Sequence, residues 1–430
     1  MTKKITKAEH NMNTFPPIVT SAISECNALY TLFFQQMGNL LKKYDEDYHK
    51  LQDNTESFVK EKGKVQVPLR KYRQYKIISE TVVQDEKMIM MSPKFAISHL
   101  VQIYDIFLTH FLEKILLVYP GVYGVCDKPL KMEQHKDANS IDDVKLTYIK
   151  IQIEELMRDS HINQIKWIDK KLKTKLEDFP LIKNFIFLTE VRNIIIHNDG
   201  IINGIFKTNL KKNGIDCTMY KLNTRLNVSS KMMYDFFACI IGFIVFIYAS
   251  LCRKIFKKEN ALCQTISNDI IYEYLCAHNY KRVFHLAKIL LEAKINLPKS
   301  LEDVIKINLA IACKKNGDSN YKSIIEDIES DECDIKFAKA VLLDEYEEAV
   351  KLFMDLGPSP ELYRGSFEWP LLDGFRETME FKQAFKDVFG EEFDEINECE
   401  EINKEKSFLD DTKDDIDDIE EQEGCKKLEN

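Results

Sequence analysis

The sequence predicts an all-α protein, on three observations. The 430 residues include only 14 glycines and 11 prolines, about half the usual share, and strand-rich folds with many tight turns need more of both. Apolar residues recur at helical spacing along most of the chain. The uncharged run 236–252 is long and apolar enough to form a helix buried on all sides. A helical bundle is therefore expected rather than a sandwich or a barrel.

Residues 1–90 are predicted to form an N-terminal helical arm that carries a basic segment. Residues 16–62 have the apolar spacing of one long amphipathic helix, and residues 64–78 follow with strand or turn character. Cations interleaved with aromatic rings are typical of surfaces that bind single-stranded RNA. The candidate RNA-binding residues are Arg70, Lys71, Tyr72, Arg73, Tyr75 and Lys76. An ordinary solvated basic stretch is the alternative.

Residues 91–258 are predicted to form an antiparallel helical bundle. Ser92 followed by Pro93 has the form of a helix start. The segment 201–228 contains turn-forming Gly and Asn residues followed by alternation, which predicts a small β-hairpin inserted between helices. The helices are expected over about residues 95–119, 141–158, 163–176, 181–197 and 231–256.

The apolar run 236–252 has two interpretations, a membrane anchor or the central helix of the bundle. Seventeen residues is the lower limit for crossing a bilayer. A single span in mid-chain would leave large soluble portions on both sides without translocation signals. We therefore expect a core helix and no membrane association.

Residues 259–390 are predicted to form a helical-hairpin repeat module. Three of its helices open on a tyrosine, namely Tyr280, Tyr321 and Tyr346, and each follows an apolar helix. The last unit resembles a tetratricopeptide unit in its spacing of small and aromatic residues. Aromatic residues between Trp369 and Phe389 are expected to cap the module. Stacked hairpins present a concave surface, so a protein partner or trigger is expected there.

Residues 391–430 are expected to form a disordered acidic tail, since they contain eighteen acidic and only five basic residues. A solubilising end is the simpler interpretation. A regulatory role, in which the tail occupies a basic groove until RNA displaces it, is the alternative.

The cysteines and the missing nucleotide motifs limit the class of protein. Eleven cysteines are scattered singly without a CxxC pair, which argues against a disulfide framework or a structural zinc site. No signal peptide is recognised, and a cytoplasmic location is expected. No phosphate-binding glycine loop or metalloprotease motif is present. We therefore expect neither a cofactor nor a metal ion.

The stretch around residue 195 is the best candidate for chemistry. Glu190, Arg192, Asn193 and His197 place polar groups on a helix whose three consecutive isoleucines belong in a core. Asn193 and His197 share a helix face, as do Glu190 and His197. Arg192 lies about 140° around the axis from His197. A long arginine side chain, or two copies meeting at a dimer axis, would bring an arginine and a histidine together.

This pattern resembles the HEPN superfamily, whose motif is an arginine, often a following polar residue, three further residues and a histidine. The chain has Arg192-Asn193 followed by three isoleucines and His197, and Asn198-Asp199-Gly200 also suits that family. The resemblance covers about residues 93–256.

The resemblance implies a metal-independent endoribonuclease that works as a homodimer on an RNA substrate, in a toxin or antiphage-defence system. His197 would be the general acid or base, because imidazole titrates near neutral pH. Arg192 would bind the phosphate, Asn193 would position it and Glu190 would orient the histidine. A non-catalytic scaffold, or a module that binds RNA or protein, is the alternative.

Overall fold

The computed structural model describes residues 15–55, 59–61, 64–118, 136, 140–255, 260–293 and 297–393. It confirms the all-α fold class. The helices are α1 Pro16–Thr55, α2 Leu69–Val118, α3 Ile141–Met157, α4 His161–Leu172, α5 Ile182–Asn198, α6 Gly204–Lys212, α7 Ser230–Ile255, α8 Asn260–Cys276, α9 Tyr280–Glu292, α10 Lys299–Lys315, α11 Tyr321–Glu326, α12 Cys333–Leu342, α13 Tyr346–Leu356, α14 Pro360–Glu368, α15 Asp373–Arg376 and α16 Met379–Phe389. The acidic tail from residue 394 onward lies outside the described residues.

The long helices α1 and α2 form an antiparallel hairpin. A short two-stranded ladder, β1 Val59–Glu61 with β2 Lys64–Gln66, joins them. Near the tip Lys43 of α1 pairs with the buried Asp85 of α2. At the other end the rings of Phe15 and Phe111 lie 5.4 Å apart. The predicted first helix is confirmed, and it ends at residue 55 rather than 62.

The predicted helix start at Ser92-Pro93 is wrong, because α2 runs through Pro93 without interruption. Proline inside a helix removes one backbone hydrogen bond and costs about 3 kcal/mol. The apolar face continues on both sides of Pro93, where Val82 and Ile97 are buried. Packing against α1 over this length offsets the local cost. The helix therefore crosses residue 90, where the predicted arm ends.

Helix α7 forms the centre of the bundle and is buried along most of its length, as the core-helix interpretation predicts. It packs against α1, α2, α5, α8 and α9. The ring of Phe243 lies 5.7 Å from that of Tyr104 on α2 and 4.5 Å from that of Phe185 on α5.

In the part of the chain that the structure describes, two helices are long and apolar enough to cross a membrane, over Leu69–Leu117 and Ser230–Leu251. In their most apolar windows, 56% and 78% of the residues are buried in the protein. The burial of the second favours its role as a core helix.

The β-hairpin predicted for residues 201–228 is not present, because α6 occupies the first half of this segment. The turn-like Asn213-Gly214 ends that helix instead. Gly214 has a φ of +65°, and the N–H of Ile215 donates to the carbonyl of Leu210 at 3.0 Å. This is the hydrogen-bond pattern of a helix C-cap, which uses the same residue types as a tight hairpin turn. A single antiparallel bridge between Ile201 and Arg225 is the strand-like pairing in the segment.

The helical hairpins predicted for the C-terminal region are confirmed. Helices α8 and α9, α10 and α11, and α12 and α13 form three successive pairs, and Tyr280, Tyr321 and Tyr346 open the second helix of each. All three turns have the same backbone form. A residue with positive φ (His278, Gly317 or Asp344) is followed by one whose N–H donates to the carbonyl five residues earlier, at 2.8 to 2.9 Å. This geometry ends one helix, and the next helix begins after a connection of three to five residues.

The predicted aromatic cap closes the last hairpin. The ring of Phe381 lies within 5.5 Å of the rings of Phe353, Phe375 and Phe393. Rings in edge-to-face contact at these separations add to the free energy gained from burial alone.

Candidate functional site

Helix α5 carries the motif, and its buried face fixes which side chains point outward. Phe185, Leu188, Val191 and Ile194 recur every three residues and are 3% exposed or less. The opposite side of the helix is thereby left for polar groups. The helix ends at Asn198, whose Nδ2 donates to the carbonyl of Ile201 at 2.6 Å.

Two consecutive residues with positive φ turn the chain sharply at the end of α5. Asp199 has a φ of +51° and Gly200 one of +78°. The N–H of Gly200 donates to the carbonyl of Ile194 at 2.9 Å. Aspartate and glycine are among the residues that tolerate this backbone region best. The sequence Asn198-Asp199-Gly200 therefore fixes the point at which the motif helix stops.

Asp199 ties this turn to two other parts of the bundle. Lys94 Nζ on α2 donates to Asp199 Oδ1 at 2.5 Å, and Arg225 Nη2 donates to Oδ2 at 2.6 Å. Arg225 Nη1 also donates to the Asp199 carbonyl at 2.8 Å. The hydrogen bonds from Arg225 and Lys94 hold the pKa of the Asp199 carboxyl well below its usual range. The carboxylate thus stays ionised and holds two cations beside the motif.

Arg192 and His197 both reach the protein surface. His197 is exposed and forms no hydrogen bond or ion pair within the described part of the chain. Arg192 is half-buried; its Nη1 donates to Asn193 Oδ1 at 3.4 Å, whereas its Nε is buried without a partner. The two residues lie about 140° apart around the axis of α5 and about 7.5 Å apart along it. A single chain therefore presents the guanidinium and the imidazole on different sides of the helix.

Glu190 contacts neither of these groups through a hydrogen bond. Its Oε2 accepts from Asn209 Nδ2 of α6 at 2.9 Å. His197 is two helical turns further on, about 10.5 Å along the axis. Within one chain Glu190 therefore fixes α6 against α5 and does not orient His197.

The predicted RNA-binding residues lie far from the motif in one chain. Residues 70–76 form the first two turns of α2; Arg70, Tyr72, Arg73 and Lys76 are exposed, and Lys71 and Tyr75 are half-buried. Lys94, which contacts Asp199, is 18 to 24 residues further along the same helix. At 1.5 Å per residue this is about 27 to 36 Å. The structure therefore separates the basic segment from the Arg192–His197 region.

The other histidines that the structure describes form no metal site. His161 Nε2 lies 3.1 Å from Asp105 Oδ1, and its ring packs 6.0 Å from those of Tyr104 and Phe185. His99 and His110 are exposed on α2. Across the ranges that the structure describes, no group of three His, Cys, Asp or Glu side chains is placed to hold a metal ion.

Lys94 and Arg225 are the residues at the end of α5 that sequence reasoning missed. They stand 105 and 26 residues from Asp199 along the chain. The one sequence signal was Asn198-Asp199-Gly200, which predicts a turn at the end of the helix. It does not identify the side chains that bind the Asp199 carboxylate. Together with Arg192 they place three cationic side chains and one carboxylate, Asp199, on the last two turns of α5 and beside its end.

Comparison with family models, curated proteins and solved structures found no match to this chain.

Proposed function

We propose that this chain is a metal-independent endoribonuclease of HEPN type that acts as a homodimer, as a toxin or an antiphage-defence effector. The observation that carries the proposal is the exposed imidazole of His197, five residues after a guanidinium that no carboxylate in the described ranges neutralises. A proton-transfer group and a fixed cation near the surface of one helix are what phosphodiester cleavage in RNA requires.

His197 moves the protons in this reaction. The 2′-hydroxyl of the RNA attacks the adjacent phosphorus while the base takes its proton, so that the O2′–P bond forms. The P–O5′ bond then breaks, and the leaving 5′-oxygen receives a proton. The products are a 2′,3′-cyclic phosphate and a 5′-hydroxyl. DNA has no 2′-hydroxyl, so it is not a substrate.

Arg192 stabilises the negative charge that builds on the phosphoryl oxygens during this step. A guanidinium stays charged at any pH of interest and offers two parallel donors to phosphate oxygens. Asn193 Oδ1 holds Nη1 of Arg192 from one side. Lys94 and Arg225 contribute to binding of the flanking phosphates. Asp199 neutralises only one of their two positive charges, so one positive charge is left for a phosphate.

A second copy of the chain completes the site. Arg192 and His197 are separated around α5, and a two-fold axis beside this helix would place the arginine of one copy opposite the histidine of the other. Exposed apolar side chains near this end support such an interface: Ile196 is 48% exposed, Phe95 67% and Met91 46%. Cavities of about 450 and 640 Å³ on either side of α2 add further unfilled apolar surface.

The remaining regions are assigned supporting roles. The exposed cations of residues 70–76 bind RNA outside the cleavage site, and the helical hairpins bind the partner or trigger that controls cleavage. A cytoplasmic location is proposed for this activity. The toxin or defence role depends on the resemblance to the HEPN superfamily alone.

The proposal is tested by incubating the purified full chain with mixed RNAs in EDTA, beside the variants His197→Ala and Arg192→Ala. The wild type should cut, and each variant should lose at least about 100-fold in rate. A substrate with a 2′-deoxy sugar at the cleaved position should stay intact. His110→Ala and Arg158→Ala change an exposed histidine and an exposed arginine of the same bundle, and they should cut like the wild type.

Three outcomes would contradict the proposal: cleavage that EDTA abolishes, cleavage that both variants retain, or RNA left intact by a wild type that dimerises. The last result would favour a non-catalytic scaffold or binding module.

A further inference from the structure

A small pocket lies where four helices meet, and no residue of the motif helix lines it. Tyr30 of α1, Tyr234 of α7, Tyr274 of α8, and Arg282 and His285 of α9 line it, together with apolar side chains of α7 and α9. The space open to the centre of a water-sized sphere is about 20 Å³, which is room for one small ion or one water molecule. The pocket joins the N-terminal hairpin, the bundle and the first C-terminal hairpin.

Arg282 supplies a buried positive charge to this pocket. Arg282 is only 8% exposed. Its Nη1 donates to Asn27 Oδ1 at 2.5 Å, and its guanidinium carbon lies 3.8 Å from the ring centre of Tyr30 and 5.2 Å from that of Tyr274. These partners are an amide oxygen and two aromatic faces, none of which carries a negative charge. Its Nη2 is buried without a hydrogen-bond partner.

Burying a guanidinium without a counter-charge is costly, so proteins pair such groups with carboxylates or with bound anions. Asp235 of α7 is half-buried nearby and acts on Tyr234 and His285, but it forms no ion pair with Arg282 among the described contacts. The aromatic faces recover part of the cost through cation–π attraction. Nη2 of Arg282, a residue that lines the pocket, is still left without an acceptor.

Tyr234 supplies a second donor. Its hydroxyl oxygen is buried without a partner, and its ring lies 5.3 Å from the ring of His285 and 6.3 Å from that of Tyr30. Burial raises the pKa of Tyr234 to about 12, so the hydroxyl keeps its proton at neutral pH. Burial also lowers the pKa of His285, which leaves the imidazole neutral and able to donate from one nitrogen.

We propose that this pocket binds a small monovalent inorganic anion of about the size of chloride. The anion would accept hydrogen bonds from Arg282 Nη2 and from the Tyr234 hydroxyl, two buried donors on different helices that line the same space. A fixed positive charge, two unused donors and a volume near that of one water molecule select a halide-sized anion over phosphate or the carboxylate of a peptide. The bound anion joins α9 to α7 and, through the Arg282–Asn27 hydrogen bond, to α1.

The proposal predicts that chloride stabilises the folded protein specifically. Thermal unfolding of the full chain is measured while sodium chloride replaces sodium gluconate at constant ionic strength. The unfolding midpoint of the wild type should rise with chloride and, above the dissociation constant, should follow the logarithm of the chloride concentration, as mass action requires for a ligand that binds only the folded state. Tyr234→Phe removes one donor, so the same rise in the midpoint should need roughly tenfold more chloride. Arg282→Met should remove the dependence.

Arg376→Met provides the matched control. Arg376 is also a largely buried arginine of the C-terminal hairpins, but it donates to the carbonyls of Ser366 and Phe367 and pairs with Asp373. This variant should be less stable and should keep the chloride response of the wild type. Broadening of the ³⁵Cl NMR line by the wild type, weaker with Tyr234→Phe at the same chloride concentration, would report binding directly.

The proposal is overturned by a wild type equally stable in the two salts, by a chloride response that Tyr234→Phe leaves unchanged, or by stabilisation with inorganic phosphate alone. If Arg282→Met does not fold, the comparison of wild type, Tyr234→Phe and Arg376→Met still decides the question.

Discussion

Arg192 and Arg282 each donate a hydrogen bond to an asparagine side-chain oxygen, but Arg192 lies near the protein surface and Arg282 lies in the interior. Arg192 is half-buried near the exposed C-terminal end of α5, and its Nη1 donates to Asn193 Oδ1 at 3.4 Å. Arg282 Nη1 contacts Asn27 Oδ1 at 2.5 Å between four helices. Neither pairs with a carboxylate in the described ranges. We propose that each binds an external anion and that access selects it: a phosphodiester at the surface and a halide-sized ion in the interior.

The sharpest way to break this comparison is to remove the two asparagine oxygens. Asn27→Ala removes the acceptor of two buried donors, Arg282 Nη1 and the Tyr274 hydroxyl. The hydroxyl donates to the same Asn27 oxygen at 2.8 Å. We expect the free energy of unfolding to fall by roughly 2–4 kcal/mol. Asn193→Ala removes one long contact at a half-buried site, so we expect less than about 1 kcal/mol, with slower RNA cleavage. Urea unfolding of both variants measures the difference; equal losses would show that Arg282 does not depend on Asn27.

A smaller effect is expected where Asp199 joins Lys94 to Arg225. A carboxyl with a lowered pKa in the folded state stabilises the protein fully above its unfolded-state pKa, and this contribution is lost as the pH falls below that value. The wild type should therefore lose stability more steeply than Asp199→Asn below about pH 4. Asparagine also tolerates positive φ, so the backbone turn is kept.

Asp178→Asn serves as the control for this experiment, since Asp178 is exposed without an ion pair to any described residue. It should follow the wild type across the pH range. An unchanged acid slope in Asp199→Asn would show that the cluster at the end of α5 contributes nothing to stability.

Sequence periodicity predicted most of the helices, because burial of one face requires apolar residues at fixed spacing. It missed α6, and it gave residues 69–78 at the start of α2 a strand or turn character. The tyrosines that open α9, α11 and α13 marked the hairpins correctly. Asn213-Gly214 led to the wrong prediction of a β-hairpin, since a hairpin turn and a helix C-cap both need a residue at positive φ. Pro93 misled as well, because the cost of a proline is local whereas the packing of α2 on α1 extends along the whole hairpin.

The two candidate sites also differ in how far they could be predicted from the sequence. Arg192, Asn193 and His197 were found in the sequence because they lie on one helix within six residues. The Arg282 pocket was not found, since its partner Asn27 is 255 residues away along the chain. Only the fold brings such residues together.

Mixing two inactive variants tests most directly whether the site is shared between two copies. Arg192→Ala and His197→Ala are purified separately, then unfolded and refolded together or co-expressed, and RNA cleavage is measured in EDTA. In a two-fold dimer half of the molecules are mixed, and each mixed dimer regains one of its two sites, so activity should return to roughly a quarter of the wild type. Mixed dimers that form but cut no faster than either variant alone would contradict a site built from one arginine and one histidine of different subunits.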